Sequence, residues 1–151
     1  MKTRFSLELH LGDADRHRLY QVFQHLAERT DLEARVPREL ADSIAPPAAA
    51  GNEPEEAFRL MIGGGAPGFD IVAWGPSKVR IVDTAGAPDL KMLCRIIAAV
   101  VPSALPLEFS FALIDEVEHR FSGGLVVMTS TSAEIQTIDS MIARRSGVLL
   151  H

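Results

Sequence analysis

The segment from Asp89 to Val101, DLKMLCRIIAAVV, most constrains how this chain can fold. Its pattern predicts a helix, with Asp89 as the N-cap and Pro102 as the stop. Only Asp89, Lys91 and Arg95 are charged, and the apolar residues do not keep to one face. Leu90, Leu93, Cys94, Ile97 and Val101 form a stripe with ordinary core spacing. Met92, Ile96, Ala99 and Val100 spread round the other side. A helix apolar nearly all round is buried on more than one face. A sheet accounts for one face. The second needs either the other helices of the same chain or a second copy of it.

The sheet is legible as alternation. Phe5, Leu7, Leu9 and Leu11 alternate with Arg4, Ser6, Glu8 and His10, which predicts a half-buried strand. Gly12 ends it, and residues 14–29 read as an amphipathic helix on the spacing of Leu19, Val22, Phe23 and Leu26. Three strands in close order follow, at 57–62, 69–74 and 79–83, separated by the turns 63–68 and 75–78. After the apolar helix, Leu107, Phe109, Phe111 and Leu113 mark a strand, and Leu125–Thr129 marks another. Thr131-Ser132-Ala133-Glu134 fits a capping box that opens a last helix with Ile135, Ile138, Met141 and Ile142 along one side. The expectation is a single α+β domain over residues 1–151, with a mainly antiparallel sheet in the order β-α-βββ-α-ββ-α covered by helices on one face. Residues 44–54, with Pro46-Pro47 and Gly51-Asn52, read as a flexible loop.

Charge and cysteine usage narrow the partners. A formal net charge of −5, with no basic stretch beyond Arg144-Arg145, excludes the basic face that a nucleic-acid binder uses. A single cysteine forms no intrachain disulfide, the N-terminus has no continuous apolar stretch of a signal peptide, and no segment is long enough to span a bilayer. The reading is a cytoplasmic protein with no membrane and no nucleic-acid partner.

The candidate chemistry is sparse. The glycines of 63–68 are followed by a strand rather than a helix, so they do not make a phosphate loop. His10, His17, His25, His119 and His151 lack metal-ligand spacing; His17 and His25 sit about 80° apart round their helix. No serine lies in a G-x-S-x-G elbow. The densest set of functional groups is the acidic tip Asp115, Glu116, Glu118 and His119. Asp115 and His119 fall about 13 Å apart on an extended strand, so a base–carboxylate pair would require the turn to fold them together. No catalytic residue, metal site or cofactor site is assigned.

The layout α-βββ-α-ββ-α that follows the first strand is similar to that of the small acidic secretion-chaperone-like folds of bacteria. That resemblance implies a dimeric protein-binding module and carries over no site residue. The expected function is therefore a non-enzymatic, homodimeric module that binds another protein or peptide, with Met92, Ile96, Ala99 and Val100 at an interface. Two alternatives stay open. One is a small-molecule-binding or enzymatic domain with a pocket near 63–68 and 115–120. The other is an immunity or antitoxin-type protein whose acidic tip neutralises a basic partner.

Overall fold

Polar–apolar alternation makes β1 (Lys2–His10) a two-faced strand: Phe5, Leu7 and Leu9 are buried, while Lys2, Arg4, Ser6, Glu8 and His10 face away from the core. The computed structural model describes residues 1–28, 62, 65–73 and 75–137. Helix α1 (Asp13–Glu28) begins with Asp13 and Asp15 in its first turn, where carboxylates complement the helix dipole. It buries Leu19, Val22, Phe23 and Leu26 against the sheet, with Phe23 tilted on Phe69 at 5.5 Å between ring centres. Strands β2 (Phe69–Ala73) and β3 (Lys78–Asp83) form a hairpin. Helix α2 (Leu90–Val100) follows, capped by the Asp89 side chain, which accepts the Met92 N–H at 3.0 Å. A single 3-10 turn, Pro102–Ala104, leads into β4 (Leu107–Asp115), β5 (Arg120–Met128) and β6 (Ala133–Thr137).

The strands form one six-stranded antiparallel sheet in the order β2-β3-β1-β4-β5-β6. The unit β1-α1-β2-β3-α2-β4 thus has the split β-α-β connectivity, and β5–β6 is an extension beyond it. The expected α+β class stands, and both described helices lie over one sheet face.

Strand β1 changes partner along its length. Residues 6–10 pair with β3, and residues 2–5 pair with β4. Beyond the β3 ladder, the backbone donors of β1 are met by the last residue of β3 and the chain just after it. Gly86 O accepts the Thr3 N–H at 2.8 Å, and Asp83 Oδ1 accepts the Phe5 N–H at 2.9 Å. The Asp83 side chain is only 6 % exposed, and its second oxygen takes Arg4 at 3.0 Å. Two glycines are needed here for space. Gly68 has φ 69°, and a Cβ there would overlap the backbone of Ala87. A Cβ on Gly124 would overlap the Phe111 ring and the Gln136 carbonyl.

The structure corrects three expectations. First, the chain itself covers the second face of α2: Met92 and Ile96 are 0 % exposed, Val100 is 2 % exposed and Ala99 is half-buried. Helix α1 packs against α2 and shares its core, so the surplus apolar area is used within one chain and gives no argument for a second copy. Second, residues 133–137 form β6 rather than the start of a helix. The hydroxyl groups read as a capping box instead close the β5–β6 turn. Thr129 N–H donates to Ser132 O at 2.8 Å, and Thr129 Oγ1 accepts the Ser132 N–H at 3.1 Å. Pairing along β5, with Ile135 opposite Val126, then outweighs local helix preference. Third, Ile62, expected at the end of a strand, is helical and buried. The rest of that expected strand, the 44–54 loop, Trp74 and the last helix beyond Thr137 lie outside the described residues.

Candidate binding groove

The sheet extends past its helices at β5–β6, and that mismatch leaves a groove. One wall is the flank of α2, where Lys91, Cys94, Arg95 and Ala98 recur at helical spacing. The other is the β5–β6 hairpin from Met128 to Ile135. Together they enclose about 610 Å³. Register puts Met128 opposite Ala133 and Val126 opposite Ile135, all on the helix side of the sheet. Ile135 is nevertheless 38 % exposed, because no described helix lies over it. The floor is therefore apolar, made by Cys94, Ala98, Met128 and Ile135. The rim is polar: Lys91 and Arg95 stand one turn apart on the helix, the hydroxyls of Thr129–Ser132 close one end, and Glu134 borders the edge strand.

Burial pushes the Cys94 thiol above its ordinary pKa, against a smaller opposing effect of the Arg95 charge. The thiol is thus held in its weakly nucleophilic protonated form, which fits a packing role in the floor. Thr129 and Ser132 share a hydroxyl–hydroxyl hydrogen bond of 2.8 Å, so the turn's hydroxyls support its own shape. Arg95 and Glu134 each have an interaction partner. The groove thus presents an apolar floor with a charged and hydroxyl-bearing rim.

The acidic tip lies elsewhere and does not converge on this groove. Asp115 closes β4, and its Oδ1 accepts the backbone N–H groups of Val117 and Glu118, each at 3.1 Å. Its carboxylate is a turn-builder. Glu116 pairs with Lys2 at 3.2 Å. His119 adopts a left-handed backbone, φ 52°, and is exposed with Glu116 and Glu118. Neither the tip nor the described part of 63–68 borders the groove, and residues 63 and 64 of the pocket expected near 63–68 and 115–120 lie outside the described residues. Among the described residues no group of three or more His, Cys, Asp or Glu side chains is placed to hold a metal ion, and no helix is long and apolar enough to cross a membrane.

Sequence reasoning missed Lys91, Arg95, Ala98 and Ile135 as one surface. The helix flank was visible as the i, i+4, i+7 series 91, 95, 98. Its opposing wall was hidden, because Ile135 was placed on a helix. Comparison with protein-family models, with curated proteins and with solved structures gives no match to this chain.

Proposed function

We propose that this protein is a non-enzymatic binding module whose receptor surface is the groove between α2 and the β5–β6 hairpin. Its occupant is a peptide segment of a partner protein, apolar along one side and acidic along the adjacent side. The observation that carries the reading is the combination of an apolar floor at Cys94, Ala98, Met128 and Ile135 with Lys91 and Arg95 along one wall. A helical segment with acidic residues four apart would set them opposite two cations that are themselves four apart, while its apolar stripe fills the floor.

Selection from a phage-displayed random peptide library, followed by titration of the selected peptides into isotope-labelled protein, tests this. The expected peptides are acidic and apolar. They shift the amide signals of Lys91, Cys94, Arg95, Ala98 and Ile135, bind more weakly at high salt, and lose binding with Ile135→Asp. Peptides that map to another surface, or that bind equally to Ile135→Asp, would sink the proposal. A small-molecule ligand is the second reading. It is favoured by the volume of about 610 Å³, inside the span of roughly 300–1,000 Å³ usual for such clefts. A fragment screen giving well-ordered occupants of the groove, with no peptide bound, would favour it.

A further inference from the structure

The groove has two unlike ends, and the topology fixes which is which. Strands β3 and β4 are both antiparallel to β1, so they run the same way. Helix α2 joins the end of β3 to the start of β4 and therefore runs against both. Its C-terminal end leads through the 3-10 turn to Leu107, which pairs with Met128. The Thr129–Ser132 turn, which follows Met128, thus stands at the C-terminal end of α2. Lys91 stands at the other end, about 10 Å from Ala98 along the helix axis.

The polar groups of the rim divide between these ends. With the turn go the hydroxyl oxygens of Ser130 and Thr131, together with Glu134, which lies opposite Val127 in the last part of the β5–β6 ladder. Toward the other end lie Lys91 and then Arg95, one helical turn further in. Lys91 occupies the first turn of α2, where a cation opposes that helix's own dipole, and no acidic side chain accompanies it in that turn. The last turn of α2 has no basic side chain to offset its carbonyl end. One end of the groove therefore presents oxygen acceptors and negative charge, and the other presents cations. An α-helix has the complementary ends: partial positive charge on its first N–H groups and partial negative charge on its last carbonyls.

We infer that the groove sets the direction of its occupant, which is a helical segment of a partner protein lying antiparallel to α2, with its acidic residues in its C-terminal half. The inference rests on the groove being a peptide receptor and adds a direction to that reading. In this orientation the first turn of the segment meets Glu134, the turn hydroxyls and the carbonyl end of α2. Its last turn, with acidic residues four apart, meets Lys91 and Arg95. A parallel occupant would set its N-terminus against Lys91 and its last carbonyls against Glu134, like against like. Acidic residues near a helix C-terminus weaken that helix in isolation, so the groove supplies the charges that such a segment lacks.

Two synthetic peptides of the same composition, acetylated and amidated to remove terminal charge, test the direction on the full chain. Each carries one leucine stripe and one pair of glutamates four apart, placed in the C-terminal half of the first peptide and in the N-terminal half of the second. The first is expected to bind at least about threefold more tightly, although the second is the better helix when free. A nitroxide on the N-terminal end of the first peptide should broaden the amide signals of Ser130–Ser132, and one on its C-terminal end should broaden that of Lys91. The preference should shrink in Lys91→Ala, at an exposed position. Equal affinities, a preference for the second peptide, or broadening at the opposite ends overturns the direction while leaving the receptor in place. If neither peptide shifts the groove amides, the receptor reading itself fails and the direction falls with it.

Discussion

Asp83 is where the sheet depends most on one side chain, and replacing it should be measurably costly. Its Oδ1 substitutes for the strand acceptor that β3 does not provide to the Phe5 N–H, at 2.9 Å, and its Oδ2 meets Arg4 at 3.0 Å. Asp83→Ala leaves the part-buried Phe5 N–H without a partner, which costs about 1–3 kcal/mol. The Arg4 side chain is 51 % exposed, so solvent screening holds its share to about 0–1 kcal/mol. The expected loss is about 1–4 kcal/mol, the two ranges together. Asp83→Asn keeps an acceptor oxygen but loses the charge, so it should cost about 1 kcal/mol; Arg4→Ala should cost no more than that. Equilibrium urea unfolding of the three variants, with an unchanged denaturant slope, gives the comparison directly. The reasoning is refuted if Asn is as damaging as Ala, because the hydrogen bond to Phe5 would then not be the main interaction. It is equally refuted if Arg4→Ala costs more than Asp83→Ala.

Three further outcomes follow from the packing. Ile96→Ala should lower stability by about 2–5 kcal/mol, to the same extent at every protein concentration, since Ile96 is buried within one chain; a loss that fades as concentration rises would place it at a subunit contact instead. Gly124→Ala should cost about 1–3 kcal/mol by overpacking against Phe111, read as a lower midpoint in thermal unfolding, and a neutral result would mean that β5 and β6 shift freely. Cys94 should react with a thiol reagent at neutral pH at least about tenfold more slowly than free cysteine, because its raised pKa and burial leave little accessible thiolate. The same raised pKa makes stability fall as pH rises through the ordinary thiol range, where the unfolded chain ionises first; labelling as fast as a free thiol would contradict both statements.

Local patterns made the first half of the sheet and both helices readable. The alternation from Arg4 to Leu11 and the stripe Leu19, Val22, Phe23, Leu26 each match one period, and one period specifies one element. Helix α2 was also read correctly as buried on two sides, but a helix sequence does not name what buries it. Met92 and Ile96 are as compatible with α1 of the same chain as with a second copy, and the choice depends on tertiary placement. The residues from Thr129 to Thr137 failed for a different reason. Hydroxyl groups followed by Glu134 satisfy a helix start and a hairpin turn equally well, since in both the side-chain oxygen accepts a nearby backbone N–H. The decision belongs to β5, whose edge was available for pairing.

The β5–β6 hairpin bears on function, because the candidate groove arises from it. Among the described residues, α1 and α2 cover the β1–β4 part of the sheet on one face. Two added strands carry the sheet beyond that cover, so on one face a gap opens between α2 and β6, with Ile135 at its floor. On the other face the same hairpin contributes Phe121, Leu125 and Val127, and it supplies the only acidic side chain on β6, Glu134. The groove and the apolar stripe are thus opposite sides of one extension. A segment bound in the groove would press on the same strands that carry the apolar stripe on the other face. The two surfaces do not compete for residues, apart from the rim position of Glu134.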